Sequence, residues 1–202
     1  YLALYLIIII AILFIFFNSE NNFLNILVSL SSSVSNLGIS FKNIPSNLSF
    51  IFLILVIIGG SFFSTSSGLR VIKILSLLKY SLNNLLSNTK PNQIYLNKVA
   101  LLKASTDKSD VNKYFLTVLV FIISLFVVSS LLTISGIKFE NSFKLGILTI
   151  MNTVNSSMYG LPDFNFYNIN IMSKFTLILF MIIGRIELLT ILILIKKFLF
   201  KN

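Results

Sequence analysis

Phe23-Leu24-Asn25-Ile26-Leu27-Val28-Ser29-Leu30-Ser31-Ser32-Ser33-Val34 runs directly into Ser35-Asn36-Leu37-Gly38. This stretch decides the fold. Its first part is amphipathic and reaches only about half a bilayer, since a spanning helix needs about 20 residues. It stops at a polar strand containing glycine. A short helix ending so fits a re-entrant segment, because irregular backbone at membrane depth is tolerated only where it lines protein or water. The same order recurs downstream. Ser142 to Thr153 is another short amphipathic segment, followed by Val154-Asn155-Ser156-Ser157-Met158-Tyr159-Gly160-Leu161-Pro162.

Longer apolar runs flank both stretches. Tyr1 to Phe17 is uncharged and just long enough to span. A signal peptide is the rival reading, but no basic n-region precedes the run and no small-residue cleavage site follows. Asn18 to Asn22, with Glu20, is a polar break. Ile44-Pro45-Ser46-Asn47 reads as a turn and helix start with Asn47 as cap. Leu48 to Ile58 then meets Gly59-Gly60-Ser61-Phe62-Phe63-Ser64-Thr65-Ser66-Ser67-Gly68, a poor stretch for unbroken helix. Apolar character returns at Leu69 and ends in Lys73 and Lys79, so the element reads helix, break, helix. One continuous helix with tolerated Gly and Ser is the alternative. Tyr114 to Ile134 and Ile171 to Ile195 are further spanning helices.

Spanning helix, half-helix, polar strand and spanning helix thus occur twice. Gly38 and Gly160 are 122 residues apart, and Gly60 and Gly184 are 124 apart. Near-constant offsets across different elements argue for a duplicated unit. The expected fold is an all-α membrane protein of two helix–pore-loop–helix repeats, each with a re-entrant half-helix. Residues 1–79 form one repeat, 80–113 a basic connector and 114–202 the other. Such units build cation filters, where backbone carbonyls replace the hydration shell of the ion.

The 202-residue chain supports that class: 56% of residues are hydrophobic and 11% charged, against about 25% charged in soluble domains. Mean hydropathy is +0.95. There is no Cys and no His, which excludes disulfides, Cys-ligated metals, His-based zinc and Ser-His hydrolysis. No enzyme activity is expected, although a Ser-Lys dyad is formally possible. The net charge of +10 points to cytoplasmic loops and not to nucleic acid. Eleven basic residues (Arg70, Lys73, Lys79, Lys90, Lys98, Lys103, Lys108, Lys113, Lys196, Lys197, Lys201) fall inside if 70–113 and the C-terminus are cytoplasmic. Lys42, Lys138, Lys144 and Lys174 fall outside. Both half-helices then enter from outside. Tyr1 stands inside an apolar run, so the chain reads as a piece whose beginning lies upstream.

Gly59 to Lys73 resembles the GG-x-x-x-ST-GG-G-I-K segment of Trk-type potassium transporters. Gly184-Arg185-Ile186-Glu187-Leu188-Leu189-Thr190 resembles the family's G-R-L-E-hydrophobic-T signature. Pro91-Asn92-Gln93-Ile94-Tyr95 resembles the connector between its third and fourth repeats. The similarity covers nearly the whole chain but only the C-terminal half of such a protein, whose members have four repeats. It implies monovalent cation uptake, K⁺ or Na⁺, with no other cofactor. The implied partners are an N-terminal half carrying the first two repeats, a second copy in a homodimer, a cytoplasmic nucleotide-binding regulatory subunit and the lipid bilayer. The implied location is the cell (inner) membrane, multi-pass.

By the same resemblance, Ser35, Asn36, Leu37 and Gly38 form one filter segment, with Gly38 kept and Asn36, Leu37 and Ile39 departing from its T-T-G-F-like pattern. Asn155, Ser156, Ser157 and Gly160 form the other, where Ser and Met replace glycines. Gly60, Ser64, Thr65, Ser66, Ser67 and Gly68 with Arg185 form the gate. Glycine suits a filter because no Cβ intrudes and φ > 0 is open to it. Each assignment has a plainer rival. The loops are then ion-free, and Arg185 bridges backbone carbonyls for structure alone. The connector lysines then meet anionic lipid, and the chain is a degenerate or truncated fragment acting at most as a membrane scaffold.

Overall fold

The computed structural model describes residues 23–39, 48–59, 69, 71–89, 108–154, 157–161, 164–185 and 197–198. All regular elements among them are helical. They are α1 (Phe23–Val34), α2 (Ser49–Ile58), α3 (Val71–Thr89), α4 (Lys108–Ile134), α5 (Phe139–Ile150) and α6 (Ile171–Arg185). Short 3₁₀ turns cover Ser157–Tyr159 and Phe166–Asn168.

α1 forms over the residues expected. α5 starts three residues earlier than the sequence suggested, after Lys138, and ends at Ile150 because Asn152 turns left-handed at φ 54°. α2 begins after Leu48, whose side chain makes no cap bond; Asn47 lies outside the described residues. At its other end Gly59 is extended (φ −61°, ψ 168°), so the helix stops at Ile58. A continuous helix from Leu48 to Lys79 is thereby excluded, though residues 61–68, where the break was expected, lie outside the described set. α3 runs ten residues beyond Lys79, to Thr89. No breaker interrupts Tyr80 to Thr89, and Pro91 disfavours helix only at the residue before it. α4 likewise starts within the supposed connector.

α4 is the one described helix long and apolar enough to cross a membrane. α5 packs chiefly on α4 and also on α6 and α2, while α1 packs on α2. Gly146 lets α5 approach α4 closely: a Cβ there would stand 3.1 Å from Ser129 Oγ and 3.3 Å from Leu125 Cδ1. Ser173 Oγ of α6 donates to Ser135 Oγ beyond α4 at 2.6 Å. The core joins Ile26 and Leu30, Phe52 and Val56, Val128 and Leu132, and Leu148 and Ile150. Opposite it, α4 exposes Phe115, Ile122, Ile123 and Phe126, and α6 exposes Ile171, Phe175, Ile178 and Ile182. Both stripes keep helical spacing.

α1 buries serines as well as apolar residues. Ser29, Ser32 and Ser33 are all within the core. The hydroxyls of Ser29 and Ser33 are satisfied locally: Ser29 Oγ donates to Asn25 O and Ser33 Oγ to Ser29 O, each at 2.8 Å.

Candidate functional site

The two twelve-residue helices, α1 and α5, end in the same way. Asn36 N donates to Ser33 O (3.2 Å) and Leu37 N to Ser32 O (3.0 Å). Asn152 N donates to Thr149 O (3.1 Å) and Thr153 N to Leu148 O (2.9 Å). Each is a Schellman cap, in which a left-handed residue lets two amides satisfy terminal carbonyls. Glycine usually holds that position; here Asn36 (φ 59°) and Asn152 (φ 54°) do.

The asparagines do more than turn the chain. With the Asn36 amide oriented to satisfy both ends, its Nδ2 donates to Ser33 O at 3.0 Å and to Val56 O at 3.2 Å. Val56 is in the last turn of α2, whose carbonyls have no helical partner beyond Gly59. Gly59 admits this approach: a Cβ on it would stand 2.6 Å from Val34 O. The second helix repeats the arrangement. Gly184 of α6 sits on the end of α5, where a Cβ would collide with Ile150 O and stand 3.2 Å from Asn152 Nδ2.

Beyond the caps the two loops meet. Gly38 (φ +77°) lies so close to Val154 that a Cβ would stand 2.8 Å from its N and 2.9 Å from its Cβ. Ile39 N donates to Ser32 Oγ at 2.7 Å, so α1 carries the first loop with its own serine. Thr153 Oγ1 is buried without a hydrogen-bond partner.

Of the residues expected at the filter, Ser35 is exposed and turned back onto its helix, Oγ to Ser31 O at 2.7 Å. Asn36 is buried, Leu37 exposed, and Gly38 in contact with the other loop. Asn155 and Ser156 lie outside the described residues. Ser157 opens the 3₁₀ turn and is exposed. Gly160 does not match Gly38. It lies at the start of α2, where a Cβ would stand 3.0 Å from Ser49 Oγ and from Lys144 Nζ. Counted from the helix ends, Val154 stands where Gly38 does, and Gly59 and Gly184 each lie against such an end. Gly60, Ser64, Thr65, Ser66, Ser67 and Gly68 are outside the described residues, so their relation to Arg185 is too; Arg185 itself closes the described part of α6 and is exposed.

Three further residues shape the site. Tyr159 and Met158 are buried behind α1, with Ser33 Oγ 3.8 Å from Met158 Sδ. Lys144 Nζ bridges Glu140 Oε1 and Gly160 O, the latter at 3.2 Å, and so pins the loop at Gly160 to α5. The hydrogen bond from Lys144, and then its charge, hold the exposed Glu140 carboxyl below its ordinary 4.5. A depressed carboxylate supports the fold above its unfolded pKa, and that support fades as pH falls through the folded value. Acidification through and below the ordinary carboxylate range should therefore loosen Gly160. Glu140→Gln should remove this part of the acid-induced loss of thermal stability; an unchanged acid limb in the variant would count against the bridge.

The described chain thus defines a class: an all-helical protein with paired short helices and one helix fit to span a membrane. Its particular likeness is to the crystal structure of the potassium transporter TrkH from Vibrio parahaemolyticus, at a TM-score of 0.79 and 24% identity over 94% of this chain. The chain spans 41% of that protein's length. No family model and no curated protein matches it.

Proposed function

We propose that the chain is part of a Trk-type monovalent cation uptake protein, supplying two of four pore-loop repeats around a K⁺ or Na⁺ path. The observation that carries this reading is the contact of Gly38 with Val154, which joins two loops borne on identically capped half-helices. The exposed apolar stripes of α4 and α6 suit a lipid bilayer. The C-terminal ends of α1 and α5 point their partial negative charge at the loops, which favours a cation. The ion passes carbonyl ligands and no bond is made or broken, so the protein is not an enzyme. The other half of the pore is an N-terminal segment with the first two repeats. A second copy, and a nucleotide-binding subunit on the cytoplasmic connector 80–113, complete the assembly in the cell membrane.

The test is rubidium uptake by this chain joined to, or co-expressed with, such an N-terminal half in a potassium-uptake-deficient host. Uptake above background is expected. One observation favours a second reading, a fragment that does not conduct: the second loop carries Val154 where the first has Gly38. Absence of flux with the assembled protein in the membrane would favour it.

Gly60, Ser64, Thr65, Ser66, Ser67 and Gly68 are proposed as the gate, tethered by Arg185. An intramembrane guanidinium needs acceptors, and in low-dielectric surroundings it repels a passing cation. Arg185→Ala should raise cation leak in the assembled protein. Unchanged or lower flux at normal expression would refute that role.

A further inference from the structure

We infer that Asn36 and Asn152 are positioning residues that set ion selectivity from behind the loops, and are not ligands of the ion path. The inference rests on the transport reading above. Asn36 is 8% exposed, and its side chain faces α2. Its amide joins two elements, the end of α1 through Ser33 O and the end of α2 through Val56 O, from a left-handed backbone. Val56 O lies in the last turn of α2, which ends at Ile58 where Gly59 becomes extended (ψ 168°). The amide donor thus reaches one of the terminal carbonyls of α2. Asn152 stands in the same place on the second half-helix, with its amide nitrogen against Gly184.

The consequence is geometric. Gly38 lies two residues past Asn36 and Val154 two past Asn152, and these are the residues in contact. A shift of either asparagine is passed through a two-residue strand to the junction of the loops. Glycine at both positions would satisfy the left-handed turn equally well. α4 shows this, since its own cap of the same kind uses Gly136 (φ 96°). What glycine cannot supply is the donor toward the second helix. The third cap carries no loop, and its glycine has open space around the Cβ position.

The test uses the assembled four-repeat protein carrying Asn36→Asp, Asn36→Gly or Asn152→Asp. Asp keeps the size and tolerates the left-handed turn but places a second acceptor against Val56 O. Gly keeps the turn and deletes the amide. Both Asn36 variants should lower the ratio of rubidium to sodium uptake by about fivefold or more, the worth of roughly one hydrogen bond in an equilibrium, with Asp the more severe. Equal losses of both ions, or an unchanged ratio, would overturn the inference. Amide hydrogen exchange on the purified protein is read in parallel and needs no flux. Leu37 and Ile39 amides should lose protection in Asn36→Asp, while those of α4 keep theirs. Unchanged protection at Leu37 and Ile39 would overturn the inference even if the protein conducts. A wild-type protein that does not conduct would sink the transport reading and the selectivity role together. The exchange data would then decide only whether Asn36 holds the loop.

Discussion

Gly38→Ala is expected to abolish rubidium uptake in the assembled protein while leaving its amount in the membrane nearly unchanged. Two costs combine at this residue. Its φ of +77° is a conformation that costs an L-residue about 1–2 kcal/mol. The added methyl would also stand inside contact distance of Val154 N and Cβ, and two of the atoms it meets belong to backbone, which yields only by moving the loop. Gly136→Ala separates the two costs. Gly136 shares the positive φ, at 96°, but nothing lies within 4 Å of its Cβ position. That variant should lose a little stability and keep its uptake. Val154→Gly should rescue Gly38→Ala only in part, because it removes one colliding atom and leaves the backbone. Wild-type uptake by Gly38→Ala would mean that the loops do not form the ion path.

The sequence was most readable where a local rule acts alone. α1 forms over the residues that amphipathicity and length predicted, and α2 stops before the Gly/Ser run. For the second loop, counting from the helix end gives a different register from matching glycines, for a physical reason. Matching Gly38 with Gly160 assumes that identical residues mark identical places, yet what defines the place is the helix end. Asn36 and Asn152, each two residues past a twelve-residue helix, carried that signal. With them as anchors, Val154 falls opposite Gly38 without any glycine to announce it. The length of α3 was hidden differently. Tyr80 to Thr89 is polar enough to resemble a connector, but Leu, Ser and Asn all tolerate helix, and α4 packs against it. Charge placement in the sequence bears on Lys144 only as one of a few basic residues beyond the connector, and its bond to Gly160 O depends on a chain reversal that composition does not encode. The gate residues other than Arg185 lie outside the described structure, so the resemblance alone assigns them.

Gly59→Ala and Gly184→Ala carry the other large expected effect, on stability and uptake together. Each glycine puts the backbone of a second helix directly on the carbonyl end of a half-helix. At Gly59 a methyl would meet Val34 O at 2.6 Å and Leu55 O at 2.9 Å. At Gly184 it would overlap Ile150 O and approach Ile150 C at 3.0 Å. Neither neighbour is the flexible tip of a side chain, so the half-helix must move as a body. Overpacking of this kind costs about 1–3 kcal/mol. The movement also draws Asn36 from Val56 O, or Asn152 from its place at Gly184, so loop geometry is lost with stability. Thermal unfolding in detergent and rubidium uptake should therefore fall in parallel for both variants. Gly146→Ala makes a useful contrast. Its nearest neighbours are the side-chain atoms Ser129 Oγ and Leu125 Cδ1, at 3.1 and 3.3 Å. These can rotate aside, so that variant should lose less stability and retain uptake. If Gly59→Ala and Gly184→Ala prove as mild as Gly146→Ala, the second helices do not bear on the half-helix ends as described, and the support proposed for the loops fails with them.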